Sequence, residues 1–387
     1  MLALISRVQN ISNPPSSAVQ PKEKAALRFG CLGAAKIVPT ALATPAKSHS
    51  DVVLYAVAAH DKVRAEEFAR KYGFHKSYGG PSGYQDLIND PEVDVIYNPL
   101  PNGLHFEWTM KGLEGGKHFL LEKPDTDTED EARQIFALAQ KKRLVVLEAF
   151  HYRFHPSIQR VKAILDSKEL GEVKSISATL SAPEGTAKAD DIWWKYELGG
   201  GSTMDPGSYT VNVLNYLASP SKLKSILSAF AKRYSSAPQH KQVDKEFTAT
   251  VSIENDILGE LFSNLNEWRI LGIIPRFPKL KATVHCEGGT VEIFNFLIPH
   301  YYHYITVSST GKQSRVEKAY KFTNGSKGEE WWTTLPLEAF VDKVRGRKPQ
   351  TWVESQETIT NMRLIEEIYA KDGFGSRPQS NYEHHDE

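Results

Sequence analysis

Two cysteines, Cys31 and Cys286, are all that the 387 residues contain. That excludes a disulfide scaffold and a zinc site built on cysteine pairs, and it fits a reducing, cytoplasmic compartment. Excess charge of either sign is also missing: 47 basic residues face 47 acidic ones. Nothing global therefore draws the chain to nucleic acid or to an anionic membrane. No apolar run approaches the roughly 20 residues of a spanning helix, and none of the usual metal-ligand spacings occurs. Residues 1–26 lack the apolar core of a secretory signal, carry three basic residues and one acidic one, and cluster Pro and Ser between Asn13 and Pro21. They are expected to form a flexible arm.

What is present begins at Leu27. "LRFGCLG", "DVVLYAVAA", "VDVIYNP", "HFLLEKP" and "LVVLEAF" are short, near-continuous apolar runs, the pattern of strands covered on both faces. Helical stretches such as "DKVRAEEFARKYG", "GLHFEWTMKGLEGG" and "DTEDEARQIFALAQKKR" separate them. This alternation predicts a parallel sheet with helices on both faces. After about Phe150, "HPSIQRVKAILDSKELG" reads as one more helix. Strands then dominate: "EVKSISATLS", "EFTATVSIE", "ILGELFSNLN", "KATVHCEGGTVEIFNF" and "YYHYITVSS". The expectation is an α/β chain: an N-terminal Rossmann dinucleotide-binding domain and a C-terminal α+β domain with an open, mostly antiparallel sheet. The expected plan is an arm over 1–26, a nucleotide domain over 27–150 and a second domain over 151–353. A helix over 354–373 would return to the first domain, and 374–387 would be a loose tail.

"FGCLGAAKI" stands between the first strand and the first helix, where a dinucleotide fingerprint belongs. Aligned to G-x-G-x-x-G it offers Gly33, Ala35 and Val38, so the glycine of the tight turn survives and the other two are replaced. Gly33, Ala34, Ala35, Lys36 and Ile37 are the candidates for the pyrophosphate turn. NAD sites commonly end the second strand in Asp or Glu. Here Ala59 and His60 occupy those positions, which leaves room for a 2′-phosphate that His60 and Arg64 would neutralise. NADP is therefore the expected cofactor. Asp61 as a helix N-cap and Arg64 as an exposed helical charge is an equally consistent reading.

An ammonium group, Lys123, follows the apolar strand "HFLL" directly after Glu122 and before Pro124. In doubly wound sheets the carboxyl ends of the strands line the ligand crevice, so this lysine would face the cofactor. The alternative is a solvated Glu-Lys pair ending a strand. In "ELGGGSTMDPGSYTVNVLNYL" Asp205 and Tyr209 are four apart, on one face of a helix. The glycines before them would let backbone approach a ligand; Asp205 as a plain N-cap before Pro206 is the competing reading. A lysine beside Tyr209 would pull its pKa down and suit it to relay the proton of a hydroxyl being oxidised.

Taken together, "GCLGAAKI", "NPLPNGLHFEW", "GKHFLLEKP", "EAFHYRFHP" and "GGGSTMDPGSY" resemble, in order, the motifs of the glucose–fructose oxidoreductase / inositol dehydrogenase (Gfo/Idh/MocA) family. Within it the likeness is greatest to the dimeric dihydrodiol dehydrogenase branch and its fungal NADP-dependent xylose dehydrogenases. The resemblance implies catalysis by Lys123, an acid/base role for Tyr209, and orientation of these groups or of the sugar by Asp205. It also implies that Asn98, Pro99, Leu100, Asn102, His105 and Glu122 line the nicotinamide side.

Relatives that oxidise dihydrodiols tend to carry tryptophan where this chain has His151 in "EAFHYRF". A polar ring there suits a sugar hydroxyl, and a packed histidine is the other reading. Arg153, Phe154, Trp193 and Trp194 complete the candidate substrate residues, although core packing is the commoner fate of such tryptophans. The implied activity is an NADP-dependent D-xylose 1-dehydrogenase that acts on a cyclic pentose and works as a homodimer through its C-terminal sheet. A trans-1,2-dihydrodiol dehydrogenase and a non-catalytic NADP-binding regulator are the alternatives.

Overall fold

The computed structural model describes residues 19–234, 242–269, 273–274, 276–322 and 334–384; the first 18 residues of the expected arm lie outside them. A six-stranded sheet comes first: β1 (Leu27–Leu32), β2 (Val52–Ala59), β3 (Lys76–Gly79), β4 (Val95–Asn98), β5 (His118–Leu121) and β6 (Val146–Glu148). Its order is β3-β2-β1-β4-β5-β6, and every neighbouring pair is parallel. Phe29, Val57, Ile96, Phe119 and Leu121 are fully buried, which is why these strands read as unbroken apolar runs. β3, "KSYG", is an edge strand without such a run, so the sequence pattern does not announce it.

Helices cover both faces. α1 opens as a π-helical turn, Pro39–Ala43, and continues as Thr44–Lys47. Pro39 is its first residue, where a missing N–H costs nothing. α2 (Lys62–Tyr72) is capped by Asp61, whose side chain accepts from the Arg64 amide, and stops at Gly73 with φ +84°. α3 (Gly83–Asn89), α4 (His105–Glu114) and α5 (Glu129–Lys142) follow. Chain order reverses between β1 and β4, so the crevice outside their carboxyl ends is the topological switch point.

The second sheet has eight strands: β7 (Val173–Pro183), β8 (Leu223–Arg233), β9 (Asp244–Ile253), β10 (Leu258–Glu267), β11 (Lys279–Cys286), β12 (Gly289–Phe294), β13 (Tyr304–Ser309) and β14 (Arg315–Glu317). They run in the order β14-β13-β12-β11-β7-β10-β9-β8. Among the described residues only the β7–β10 pair is parallel, so the sheet is mostly antiparallel. α6 (Pro156–Asp166) and α7 (Pro206–Ala218) pack on it. Along β9, Phe247, Ala249, Val251 and Ile253 point into the core, while Thr248 is exposed on the other face, the alternation of a sheet covered on one side.

Two helices close the chain, α8 (Thr334–Val344) and α9 (Ser355–Asp372). The expected plan needs correcting at α8 and at the tail. Leu337, Phe340 and Val341 of α8 join the core of the first sheet, with the Phe340 ring 6.2 Å from that of Phe29. α8 thus belongs to the first unit. α9 packs its Ile359, Leu364 and Ile368 into the core of the second and reaches the first through Glu366, which accepts from the Glu129 amide at 2.7 Å. The tail is fastened, because Arg377 is 2% exposed and ion-paired to Asp244. Further along, Tyr382 donates to Glu114 at 2.8 Å.

Gly112 in α4 offers a test of how the helix layer meets the sheet. A Cβ there would lie 2.2 Å from Cζ of Phe119 in β5, a ring that cannot yield without moving its strand. Gly112→Ala should destabilise the protein by about 1–3 kcal/mol despite alanine's better helix propensity. Urea unfolding measures this, and an unchanged midpoint would contradict the packing described.

Candidate active site

The turn after β1 begins at Gly33, with φ +88°, a conformation L-residues rarely adopt. Among the described residues, the amides of Ala34, Ala35 and Lys36 donate to no hydrogen-bond acceptor. They form a short row of backbone donors of the kind that cradles phosphate. Ala59 ends β2 without a carboxylate. Arg64 reaches back from α2 and donates through Nη2 to the Ala34 carbonyl at 2.8 Å, so Asp61 capping and Arg64 approach to the turn both hold. His60 is exposed, its ring 4.8 Å from that of Tyr84. These residues fit a dinucleotide with an additional phosphate. Lys36 is exposed and Ile37 packs on the core.

Glu122 and Lys123 lie past the end of β5, and the Lys123–Pro124 peptide is cis. Lys123 Nζ stands 2.5 Å from Asp205 Oδ1 and 4.6 Å from the centre of the Tyr209 ring. Residues 82 positions apart and from different sheets thus meet at one ammonium. Asp205 makes no side-chain cap on α7 although Pro206 is that helix's first residue, so its carboxylate is used for Lys123 and not as an N-cap. Burial pulls the Lys123 pKa down, but Asp205, Tyr209 and Glu122 outweigh it and hold the group above the ordinary lysine value.

For Tyr209 the expectation fails in sign. Burial raises its pKa, Lys123 lowers it, and Glu122, Asp205 and Glu148 raise it again, so the phenol ends well above its ordinary value. Desolvation of a phenolate next to three carboxylates outweighs one ammonium. Glu122 is pushed up by burial, yet hydrogen bonds from His151 and Tyr97 and the Lys123 charge bring it below the usual carboxylate range. Its Oε1 accepts from Tyr97 at 2.6 Å and lies 3.2 Å from His151 Nε2.

Other expected residues serve the frame. Asn98 is buried, donates to Thr109 and accepts from the Leu100 amide; Pro99 is buried beside it. His105 is fully buried with its ring nitrogens 2.9 and 2.7 Å from the carbonyls of Pro124 and Leu100. It clamps the two strand-end loops and does not face the crevice. Asn102 donates to the Gly199 carbonyl across the two units at 3.1 Å. Arg153 pairs with Glu357 and stacks on Tyr216, and Phe154 sits in the core of the first sheet. Trp194 is 1% exposed and stacked 3.8 Å from Tyr234, with Trp193 packed on the same cluster. Both tryptophans follow the packing reading. The glycines before Asp205 answer to packing as well: a Cβ on Gly199 would meet Asp127, and one on Gly201 would meet Asp244.

A family model described as an oxidoreductase family with an NAD-binding Rossmann fold matches residues 27–150. A second, described as the GFO/IDH/MocA C-terminal domain, matches residues 158–292. The D-xylose 1-dehydrogenase (NADP(+)) 2 of Haloferax volcanii is 37% identical over 200 residues, 51% of this chain and 59% of that protein. The dTDP-3,4-didehydro-2,6-dideoxy-alpha-D-glucose 3-reductase of Saccharopolyspora spinosa is 34% identical over 47% of this chain and 53% of its own. The trans-1,2-dihydrobenzene-1,2-diol dehydrogenase of Xenopus laevis is 34% identical over 47% and 52%. The chain thus spans somewhat more than half the length of the curated relatives it matches. Among solved structures, an aldose-aldose oxidoreductase from Caulobacter crescentus has a TM-score of 0.75 at 19% identity, covering 90% of this chain and 98% of that one. Levoglucosan dehydrogenase in complex with NADH and levoglucosan has 0.74 at 19%, covering 92% and 100%. At that identity they show a shared fold.

Sequence reasoning missed one feature beside Lys123. Asp125, Asp127, Glu131 and Glu148 are all at most 4% exposed. Glu148 accepts from the Asp125 amide and Glu131 from the Asp127 amide, both at 3.2 Å. Asp125 Oδ2, Glu148 Oε2 and both oxygens of Asp127 have no partner among the described residues. Asp125, Asp127 and Glu131 in "EKPDTDTEDE" read as ordinary helix N-terminal charge and Glu148 as the end of an apolar strand, so only burial sets them apart. Burial raises all four pKa values; repulsion from Glu131 adds to Asp125 and Asp127, and repulsion from Asp125 adds to Glu148. A folded pKa above the unfolded one stabilises at low pH, and that stability is lost as pH climbs through the folded value. Thermal stability should therefore fall as pH rises above the ordinary carboxylate range. Asp125→Asn should flatten the fall by on the order of 1 kcal/mol. Calorimetry across that window decides it; a stability that rises with pH, or an unaltered slope in the variant, would refute buried neutral acids.

Proposed function

The chain belongs to the GFO/IDH/MocA oxidoreductase family, and on that footing we propose that it is an NADP-dependent aldose 1-dehydrogenase with D-xylose as substrate. The reaction removes a hydride from C1 of the cyclic sugar and yields the 1,5-lactone. The observation that carries the reading is the meeting of Lys123, Asp205 and Tyr209 at the carboxyl end of β5. The relative from Haloferax volcanii supports both sugar and cofactor. The row of amides at Ala34–Lys36 and the Arg64 guanidinium beside Ala34 favour NADP. When bound, NADP⁺ supplies a nicotinamide carbon able to take the hydride.

The protein's own part is electrostatic and positional. The Lys123 ammonium stabilises negative charge as it develops on O1. Asp205 fixes that ammonium within hydrogen-bonding reach and is available to orient a hydroxyl. Tyr209 exchanges the proton: its phenol is ready to donate in reduction, and must first lose its proton to act as base in oxidation. His151, held by Glu122 and 3% exposed, offers a polar ring that suits a sugar better than an aromatic diol. Oxidation of a trans-dihydrodiol by the same groups is the second reading, supported by the 34% identity to the Xenopus laevis enzyme.

Assays with NADP⁺ or NAD⁺ against D-xylose, D-glucose, L-arabinose, myo-inositol and a trans-dihydrodiol test this. NADPH formation should be greatest with D-xylose, and Lys123→Ala should lower kcat by roughly 10²–10³-fold. Turnover of the diol alone would reverse the substrate assignment, and cofactor binding without turnover would favour a regulator. Because the Tyr209 pKa is raised, oxidation should quicken from about pH 7 to pH 10 while reduction stays level. A plateau in oxidation near neutrality would remove Tyr209 as the base.

We also propose homodimerisation through the uncovered face of the second sheet. Thr248 and Phe230 are exposed there beside Thr179, Thr250 and Phe262, which line a shallow depression. Sedimentation should give a dimer that Phe230→Asp weakens; a wild-type monomer at micromolar concentration would sink this.

A further inference from the structure

We propose that Arg377, in the C-terminal tail, is a positioning residue that acts through Asp244 to aim Asp205 at Lys123. The inference rests on the reading of Lys123 and Asp205 as the reaction centre. The stretch from Gly199 to Asp205 joins a short helical turn to α7 and includes two glycines of positive φ, Gly199 at +70° and Gly201 at +135°. Backbone of that kind has much conformational freedom to lose, so it must be fastened for Asp205 to keep its place.

Asp244, at the start of β9, is the fastener. Its carbonyl accepts from the Ser202 amide at 2.8 Å. Its Oδ2 accepts from both the amide and the hydroxyl of Thr203 at 2.7 Å. Gly201 has no room for a Cβ because Asp244 Oδ1 would lie 2.3 Å away. The carboxylate that grips the loop in this way is fully buried and needs a donor on each oxygen. Arg377 makes that tenable. Its Nη2 donates to Asp244 Oδ1 at 3.0 Å, and neither side chain is exposed at all. Tyr369 donates to the same oxygen at 2.8 Å. Arg377 is held in turn by the Gln242 carbonyl, 2.8 Å from Nη1, and by the Tyr369 ring, 3.9 Å from the guanidinium carbon.

Removing one partner of a buried pair leaves an uncompensated charge, which is strongly unfavourable. Asp244 would reorient or admit water, the grip on Ser202 and Thr203 would slacken, and Asp205 would drift from Lys123. The lysine would then lose its counter-charge, and a larger fraction of it would be free amine. That fraction can be read without any turnover.

The test is competitive acetylation of the full-length protein with acetic anhydride. Labelling of Lys123 is quantified by peptide mass spectrometry against exposed Lys47, and kinetics with D-xylose and NADP⁺ are run in parallel. Arg377→Ala and Asp244→Asn should raise Lys123 labelling by roughly three- to tenfold and lower kcat more than they change KM. Arg377→Lys should fall between these and wild type. Tyr382→Phe, which removes a tail contact remote from the loop, should match wild type. Unchanged Lys123 labelling in folded Asp244→Asn or Arg377→Lys overturns the proposal, whether or not Arg377→Ala folds. An equal effect in Tyr382→Phe also overturns it, because tail tethering alone would then suffice. A wild type that oxidises no sugar, yet shows the labelling shift in the variants, keeps the link between Arg377 and Lys123 and rejects the assigned reaction.

Discussion

Asp205 and Lys123 meet at 2.5 Å from segments attached to the two different sheets, and much of the architecture serves that contact. The parallel sheet delivers Lys123 to the crevice because β5 ends there; the second sheet, through α7 and the loop before it, delivers Asp205. Neither group is stable alone in that place. Lys123 is 10% exposed, and an ammonium so desolvated favours losing its proton unless a carboxylate stands against it. The pair therefore couples the two halves of the chain and keeps a positive charge at the carboxyl end of β5.

The surroundings handle buried charge in two opposite ways. Asp244 is paired with a guanidinium, a phenol and a backbone amide. Asp125, Asp127 and Glu148, only a few residues from Lys123 in sequence or sheet order, have carboxyl oxygens without partners among the described residues and are driven toward the neutral form. Paired acids hold loops rigid, whereas unpaired ones make the site's stability depend on pH. Glu122 is intermediate: it is buried, but two donors and Lys123 keep it ionised, and it holds His151 in place.

Much of the fold was legible in the sequence. Apolar runs marked β1, β2, β4, β5 and β6 because a strand covered on both faces has no polar positions. α2 and α9 end at Gly73 and Gly373, where the chain takes a positive φ that glycine adopts most readily. β3 escaped notice, since an edge strand of four half-exposed residues needs no apolar pattern. The fastened tail escaped for another reason. "SRPQSNYEHHDE" is polar, and nothing local signals that Arg377 finds Asp244 from 133 residues away.

For the site, the sequence alone singled out the candidates: a lysine at a strand end, and an aspartate and a tyrosine one helical turn apart. Their placement at a strand end and on one helix face follows from local periodicity, which depends only on near neighbours; their roles came from the resemblance to a family. The tertiary structure decided what those residues do for one another. It set Asp205 against Lys123 rather than on the helix cap, raised the Tyr209 pKa where the lysine alone would have lowered it, and turned Trp194, Phe154 and His105 into frame. Burial and the charges gathered from distant segments fix those outcomes, and both depend on which parts of the chain come together on folding.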